Sequence, residues 1–187
     1  MCDFITVILP GEADLHSLTS IGKQHHLDFI PIQNDEVITQ LEPAETYYRT
    51  KRSMCDCGTG LGCLASGNKK QGQSNRALTR RIRKFQASGW SQTKIDRWLA
   101  QHDETKSKRV RSTRDHYTSD VERWLNIISE ILDSDKTPSF GLLIHWYSGE
   151  LESERIQIQR RCKIRIKDAS PDVMLHMEHD VLYEFTK

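Results

Sequence analysis

The sequence predicts an α+β fold for these 187 residues, and three observations support this prediction. Short runs rich in β-branched and aromatic residues alternate with segments in which apolar residues recur at helical spacing. The composition, with 36% hydrophobic and 28% charged residues, is that of a globular chain. The length is sufficient for one domain with an insertion.

The N-terminal part of the chain, residues 1–64, predicts the order β-α-β-β. Residues 2–9 form a covered strand, and the apolar residues of 12–25 recur at helical spacing. Residues 27–32 predict a second strand that ends or lies at an edge at Pro31, because proline cannot donate to the ladder. Residues 46–54 predict a third strand. This order begins a ferredoxin-like (split βαβ) antiparallel sheet, in which strands one and three pair.

Residues 65–135 predict a basic helical insertion between strands three and four. Ser74 caps a helix that ends at Gly89, and Ser91 caps a second helix, so that residues 74–103 form a helical hairpin resembling a helix-turn-helix. Residues 105–113 are expected to form a polar loop. After it, residues 119–122 have the spacing of a capping box that opens another helix.

The C-terminal part, residues 136–187, predicts the remaining strands. Residues 140–147 predict a covered fourth strand. The strict alternation over 156–166 predicts an extra strand with a basic face and a buried face, on which Cys162 is a core thiol. Pro171 opens a helix that extends to about His179, and residues 181–185 predict a short edge strand. The three parts together are expected to form a single domain.

The basic charge of the chain is concentrated in its middle. Residues 51–117 contain 16 lysines and arginines against 5 acidic residues, although the formal net charge of the whole chain is only +1. This segment predicts a nucleic-acid-binding surface. Its candidate residues are Arg76, Arg80, Arg81, Arg83, Lys84, Lys94 and Arg97. The alternatives are a solvated helical face, or an acidic protein partner, which includes the acidic flanks of this chain or of a second copy in a homodimer.

A cluster of cysteines follows the third strand. Cys55, Cys57 and Cys63 lie within nine residues that also contain three glycines. In the expected fold the start of the first strand lies beside this stretch, which adds Cys2. Four thiolates can fill a closed tetrahedral site, so the sequence predicts a structural or sensory metal site that binds zinc before iron–sulfur.

Other interpretations of these residues remain open. The cysteines of residues 55–63 are also consistent with half-buried thiols that only pack, or with a thiol redox pair activated by nearby cations. The Met1-Cys2 start is similar to that of class II amidotransferases, in which a processed N-terminal cysteine is the nucleophile; the resemblance covers these two residues. His145 is expected to be a satisfied pocket histidine, and His176 and His179 are spaced as a metal pair on a helix face. The sequence identifies no reaction.

The apolar run at the N-terminus is too short to span a membrane and lacks the basic region of a signal peptide. A cytoplasmic location is therefore expected, without a membrane partner, and cytoplasmic thiols stay reduced.

Overall fold

The structure is a computed structural model that describes residues 2–50, 55–56, 59–64 and 79–187, without the side chains of Cys2 and residues 102–116. Its elements, in chain order, are β1 (Cys2–Leu9), α1 (Leu15–Gln24), β2 (Phe29–Pro31), α2 (Asp35–Ile38), β3 (Thr46–Thr50), α3 (79–87), α4 (Gln92–Asp133), β4 (Ser139–Tyr147), β5 (Arg160–Arg165), a 3₁₀ turn (Ile166–Asp168), α5 (Pro171–Leu175) and β6 (Val181–Thr186).

The described strands form one mixed six-stranded sheet in the order β2-β3-β1-β4-β6-β5. β1 pairs antiparallel with β3 on one side and with β4 on the other. β6 is antiparallel to β4, but β5 is parallel to β6. The α+β class is as expected from the sequence. The sheet differs from a four-stranded, wholly antiparallel ferredoxin-like sheet, because β6 and β5 continue it beyond β4.

Each face of the sheet buries a separate apolar cluster. On one face, Trp124 and Ile128 of α4 pack with Leu18 of α1 against the odd-numbered residues of β1, such as Ile5. On the opposite face, α2 and the segment between β4 and β5 cover residues such as Tyr47. The central strands β1 and β4 are therefore buried on both sides for most of their length, which explains their nearly continuous apolar sequences.

Helix α4 corrects the expected end of the hairpin, the loop and the capping box. Its start is as predicted, since the Ser91 side chain accepts a hydrogen bond from the Lys94 N–H. The helix then continues without a break for 42 residues, so residues 105–113 are helical and residues 119–122 lie inside the helix. Residues 105–113 have no apolar residues at helical spacing, so apolar periodicity cannot detect a helix there.

The C-terminal elements correct three further expectations. The extra strand is limited to Arg160–Arg165, and the segment before it covers the sheet instead. Helix α5 ends at Leu175, so His176 and His179 do not share a helix face. β6 is not at the edge, because the chain crosses over through α5 and places β6 between β4 and β5. No helix in the described ranges is both long and apolar enough to cross a membrane.

Candidate functional site

The cysteine-containing segment, residues 55–64, returns to the start of β1. The Asp56 N–H donates to the Asp3 carbonyl oxygen at 2.8 Å, and Asp56 Oδ2 accepts from the Ile5 N–H at 2.9 Å. Asp56 is only 5% exposed, so these bonds lie inside the protein. The antiparallel pairing of β1 with β3 thus brings the backbone next to Cys2 and Cys55 together, as the sequence predicts.

Glycines allow the same segment to approach two helices closely. The Gly60 N–H donates to Asp120 Oδ2 of α4 at 2.9 Å, and a Cβ at Gly60 would lie 2.4 Å from the Tyr117 carbonyl oxygen. The Gly62 N–H donates to the Met174 carbonyl oxygen of α5 at 2.9 Å. Gly62 has a φ of +65°, which favours glycine. The glycines therefore fix the segment in place by permitting backbone contact.

The two described cysteines of the cluster, Cys55 and Cys63, are half-buried thiols. Burial, and then the charge of Asp120, raise the pKa of the Cys63 thiol. A protonated thiol is a poor nucleophile, so this environment does not favour a redox role for Cys63. Cys57 and the Cys2 side chain lie outside the part of the chain that the structure describes. Among the residues that are described, no group of three or more His, Cys, Asp or Glu is placed to hold a metal ion.

A small cavity of about 170 Å³ lies between this segment, β1, α4 and the residues before β6. Its polar lining consists of Asp3, Asp56, Thr59, Cys63, Tyr117 and His179. His179 Nε2 lies 3.1 Å from Asp3 Oδ1, so the carboxylate orients the imidazole. The sequence did not indicate this pairing, because the two residues are 176 positions apart.

A second polar cluster lies on the opposite face of the sheet, around His145 of β4. His145 Nδ1 pairs with Asp180, and the buried Nε2 atom has no hydrogen-bond partner in the described structure. Glu154 Oε1 is 3.9 Å from this Nε2. The pKa of Glu154 is lowered, chiefly by the Ser148 hydroxyl and then by backbone N–H groups. His145 is therefore a pocket histidine, as expected, but only one of its nitrogens is satisfied.

The turn between α3 and α4 contains a separate aromatic cluster. The Phe85 ring stacks on Trp90 with centroids 4.3 Å apart and an interplanar angle of 8°. Trp98 meets Phe85 edge-on at 4.8 Å. Gly89 forms the turn with a φ of +75°, in the helix-ending position that the sequence predicts. These contacts join α3 to the beginning of α4, and we call residues 79–101 the basic hairpin.

The charged side chains that the basic hairpin exposes to solvent are almost all positive. Its six cations, Arg80, Arg81, Arg83, Lys84, Lys94 and Arg97, are all exposed, and its only acidic residue is Asp96. None of the six forms an ion pair with another described residue, including those of the acidic flanks. Arg81 and Lys94 lie over the rings of Trp98 and Trp90. Arg76, the remaining candidate, lies outside the described residues.

These local features are the basis for assigning a function. No protein-family model, no curated protein and no solved structure matches this chain.

Proposed function

We propose that this protein binds nucleic acid through the basic hairpin. The observation that carries the proposal is the set of six exposed cations that pair with no carboxylate among the described residues, on a hairpin fixed by its own aromatic cluster. Exposed cations of this kind are available to phosphates, and each phosphate contact releases condensed counterions.

A charge-removal experiment tests this proposal. We expect the triple variant Arg80→Gln, Arg83→Gln and Lys84→Gln to weaken binding about tenfold or more and to reduce the log–log salt slope by about 3. These three side chains avoid the aromatic contacts, so the hairpin should keep its helicity. Fluorescence anisotropy with a labelled oligonucleotide over a salt series measures both quantities.

The matched control removes the same charge from β5. Arg160, Lys163 and Arg165 are also exposed, but each is paired with a carboxylate. Replacing these three residues with glutamine should leave the affinity nearly unchanged. Equal losses in the two triple variants would show only a response to net charge and would refute the hairpin as the binding surface.

We propose a second function, a structural or sensory metal site that binds zinc before iron–sulfur through Cys2, Cys55, Cys57 and Cys63. The bond from the Asp56 N–H to the Asp3 carbonyl oxygen supports it, because it joins the backbone neighbours of two candidate ligands. Cytoplasmic location and reduced thiols belong to the same proposal. Thiol redox exchange within residues 55–63 is the competing interpretation.

Elemental analysis of protein purified without chelator tests the metal site. We expect about one zinc per chain, lost in Cys63→Ser and retained in Cys162→Ser, whose thiol packs against the core. A wild-type protein without stoichiometric zinc or iron would overturn the proposal. If thiol titration then found a pair that reduces and reoxidises reversibly, the redox interpretation would replace it.

The ferredoxin-like relationship is likewise proposed for β2, β3, β1 and β4 alone. The antiparallel pairs β2–β3, β3–β1 and β1–β4 support it, with β6 and β5 as an addition to that unit.

A further inference from the structure

We infer that the basic hairpin recognises the phosphate backbone of a double-stranded nucleic acid rather than the bases of a single strand. The inference rests on the proposed nucleic-acid binding and specifies its ligand. It depends on what the aromatic rings of the hairpin contact, on where its cations lie, and on the charge density of the two kinds of ligand.

The aromatic rings of the hairpin are already occupied. Trp90 carries the Phe85 ring at 4.3 Å on one face, and the Lys94 ammonium group lies 4.3 Å from the Trp90 centroid. Two groups at this distance cannot share one face, so both faces of Trp90 are covered. Trp98 packs edge-on with Phe85 and lies under the Arg81 guanidinium, 5.6 Å from the ring centroid.

Proteins that bind single strands without sequence preference stack successive bases on aromatic side chains, which contributes about 1–3 kcal/mol per base. The described part of the hairpin offers no uncovered Trp90 face for such stacking. The most exposed large hydrophobic side chain described, Trp146 at 59%, belongs to β4 of the sheet and not to the hairpin. A base could therefore stack on Trp90 only by displacing Phe85 or Lys94.

The cations lie on successive helical turns. Arg80 with Arg83, Arg81 with Lys84, and Lys94 with Arg97 are each three residues apart, so their Cβ atoms are about 5–6 Å apart on the helix surface. Each pair can contact neighbouring phosphates without contacting a base. Contacts of this kind position a protein on nucleic acid but carry no direct sequence information.

A surface that contacts only phosphates favours the ligand with the denser charge. A duplex carries one charge per about 1.7 Å of axis, against one per about 3.4 Å for each of its strands. The four cations that cover no ring, Arg80, Arg83, Lys84 and Arg97, give a log–log salt slope of about −4 on a duplex and about −3 on a single strand. We therefore expect a duplex to bind more tightly and to be more sensitive to salt.

Competition anisotropy on the whole protein tests this inference. The probes are a duplex DNA of about 20 base pairs, a duplex RNA of the same sequence, the separate strands, and vesicles containing phosphatidylserine, at about 0.15 M salt. We expect both duplexes to compete at least about tenfold better than the strands, and a scrambled duplex to compete equally. The ratio of the concentrations at which the DNA and RNA duplexes compete identifies which of the two backbones is preferred.

Two results would overturn the inference while leaving nucleic-acid binding intact. One is tighter binding of a single strand than of the duplexes, and the other is loss of strand binding in Trp90→Leu with duplex binding unchanged. Failure of every nucleic acid to bind, or binding to the vesicles alone, would instead refute the proposed function itself. The double variant Lys94→Gln and Arg97→Gln tests independently whether the second helix of the hairpin contributes to binding. Circular dichroism reports whether this variant keeps its helicity.

Discussion

Replacing Gly60 with alanine should destabilise the protein by forcing the cysteine-containing segment away from α4. The new Cβ would lie 2.4 Å from the Tyr117 carbonyl oxygen and 2.9 Å from Val121 Cγ1, whereas real Cβ contacts essentially never fall below 3.0 Å. Neither neighbour is the flexible end of a side chain, so the segment must move. Overpacking of this kind costs about 1–3 kcal/mol.

The movement should also weaken a hydrogen bond. The Gly60 N–H donates to Asp120 Oδ2 at 2.9 Å, and the loss of such a bond typically costs about 1–2 kcal/mol. We therefore expect Gly60→Ala to lower the free energy of unfolding by about 2–5 kcal/mol. Urea denaturation followed by tryptophan fluorescence measures this quantity, provided that the slope with urea concentration stays unchanged.

Two other glycines provide matched controls that separate steric overlap from backbone strain. Gly89 has a φ of +75°, and a Cβ added there would meet nothing within 4 Å, so Gly89→Ala should cost only the strain, about 1 kcal/mol. Gly62 combines a φ of +65° with a distance of 2.6 Å from an added Cβ to the Met177 carbonyl oxygen, and Gly62→Ala should be the most damaging. If Gly60→Ala costs no more than Gly89→Ala, the close contact with α4 does not exist in solution.

Two further predictions concern charged groups. Arg161→Met should lower the free energy of unfolding by about 2–3 kcal/mol, because Glu45 and Glu184, whose side chains are 9% and 13% exposed, lose their guanidinium partner. Arg160→Met is the control: its ion pair is exposed, so this variant should cost less than about 1 kcal/mol. The folded-state pKa of Glu154 lies below its ordinary value of 4.5, so its stabilising contribution is complete above that value and is lost as the pH falls through the folded pKa. The stability difference between the wild type and Glu154→Gln should therefore shrink on acidification from about pH 6 to about pH 3, and a constant difference in urea denaturation would contradict the hydrogen-bonded carboxylate.

The central strands β1 and β4 were predictable because their residues are covered on both faces for most of their length. β1 and β4 have short, dense apolar sequences, and Pro31 indicated that β2 lies at an edge, where it is found. The parallel pairing of β5 with β6 was not predictable, since alternation predicts a strand but not its neighbour. The unbroken course of α4 was not predictable for a related reason: residues 105–113 have no apolar stripe, and five of the nine are Ser, Thr or Val, which have lower helix propensity than Lys or Arg.

At the candidate sites, only local features could be predicted from the sequence. The cations of the basic hairpin and the turn at Gly89 are neighbours in the chain, so composition and spacing identify them. By contrast, Asp56 and His179 approach β1 through contacts across 51 and 176 positions, for which no local pattern exists. The side-chain arrangement of the four proposed cysteine ligands stays a prediction, because it depends on such long-range placement.

Because α4 is unbroken, the number of residues in its middle determines how the basic hairpin is oriented relative to the core. The same helix begins in the basic hairpin at Gln92 and is anchored in the core from Val121 onwards. Each residue of an α-helix turns the chain by about 100° and advances it by about 1.5 Å. Deleting one residue within residues 102–116 would therefore rotate the basic hairpin by more than a quarter turn about the helix axis. Deleting seven residues, close to two whole turns, would shorten the helix but nearly preserve the orientation of the hairpin. The number of residues in this segment thus sets both the distance of the hairpin from the core and its rotation about the helix axis.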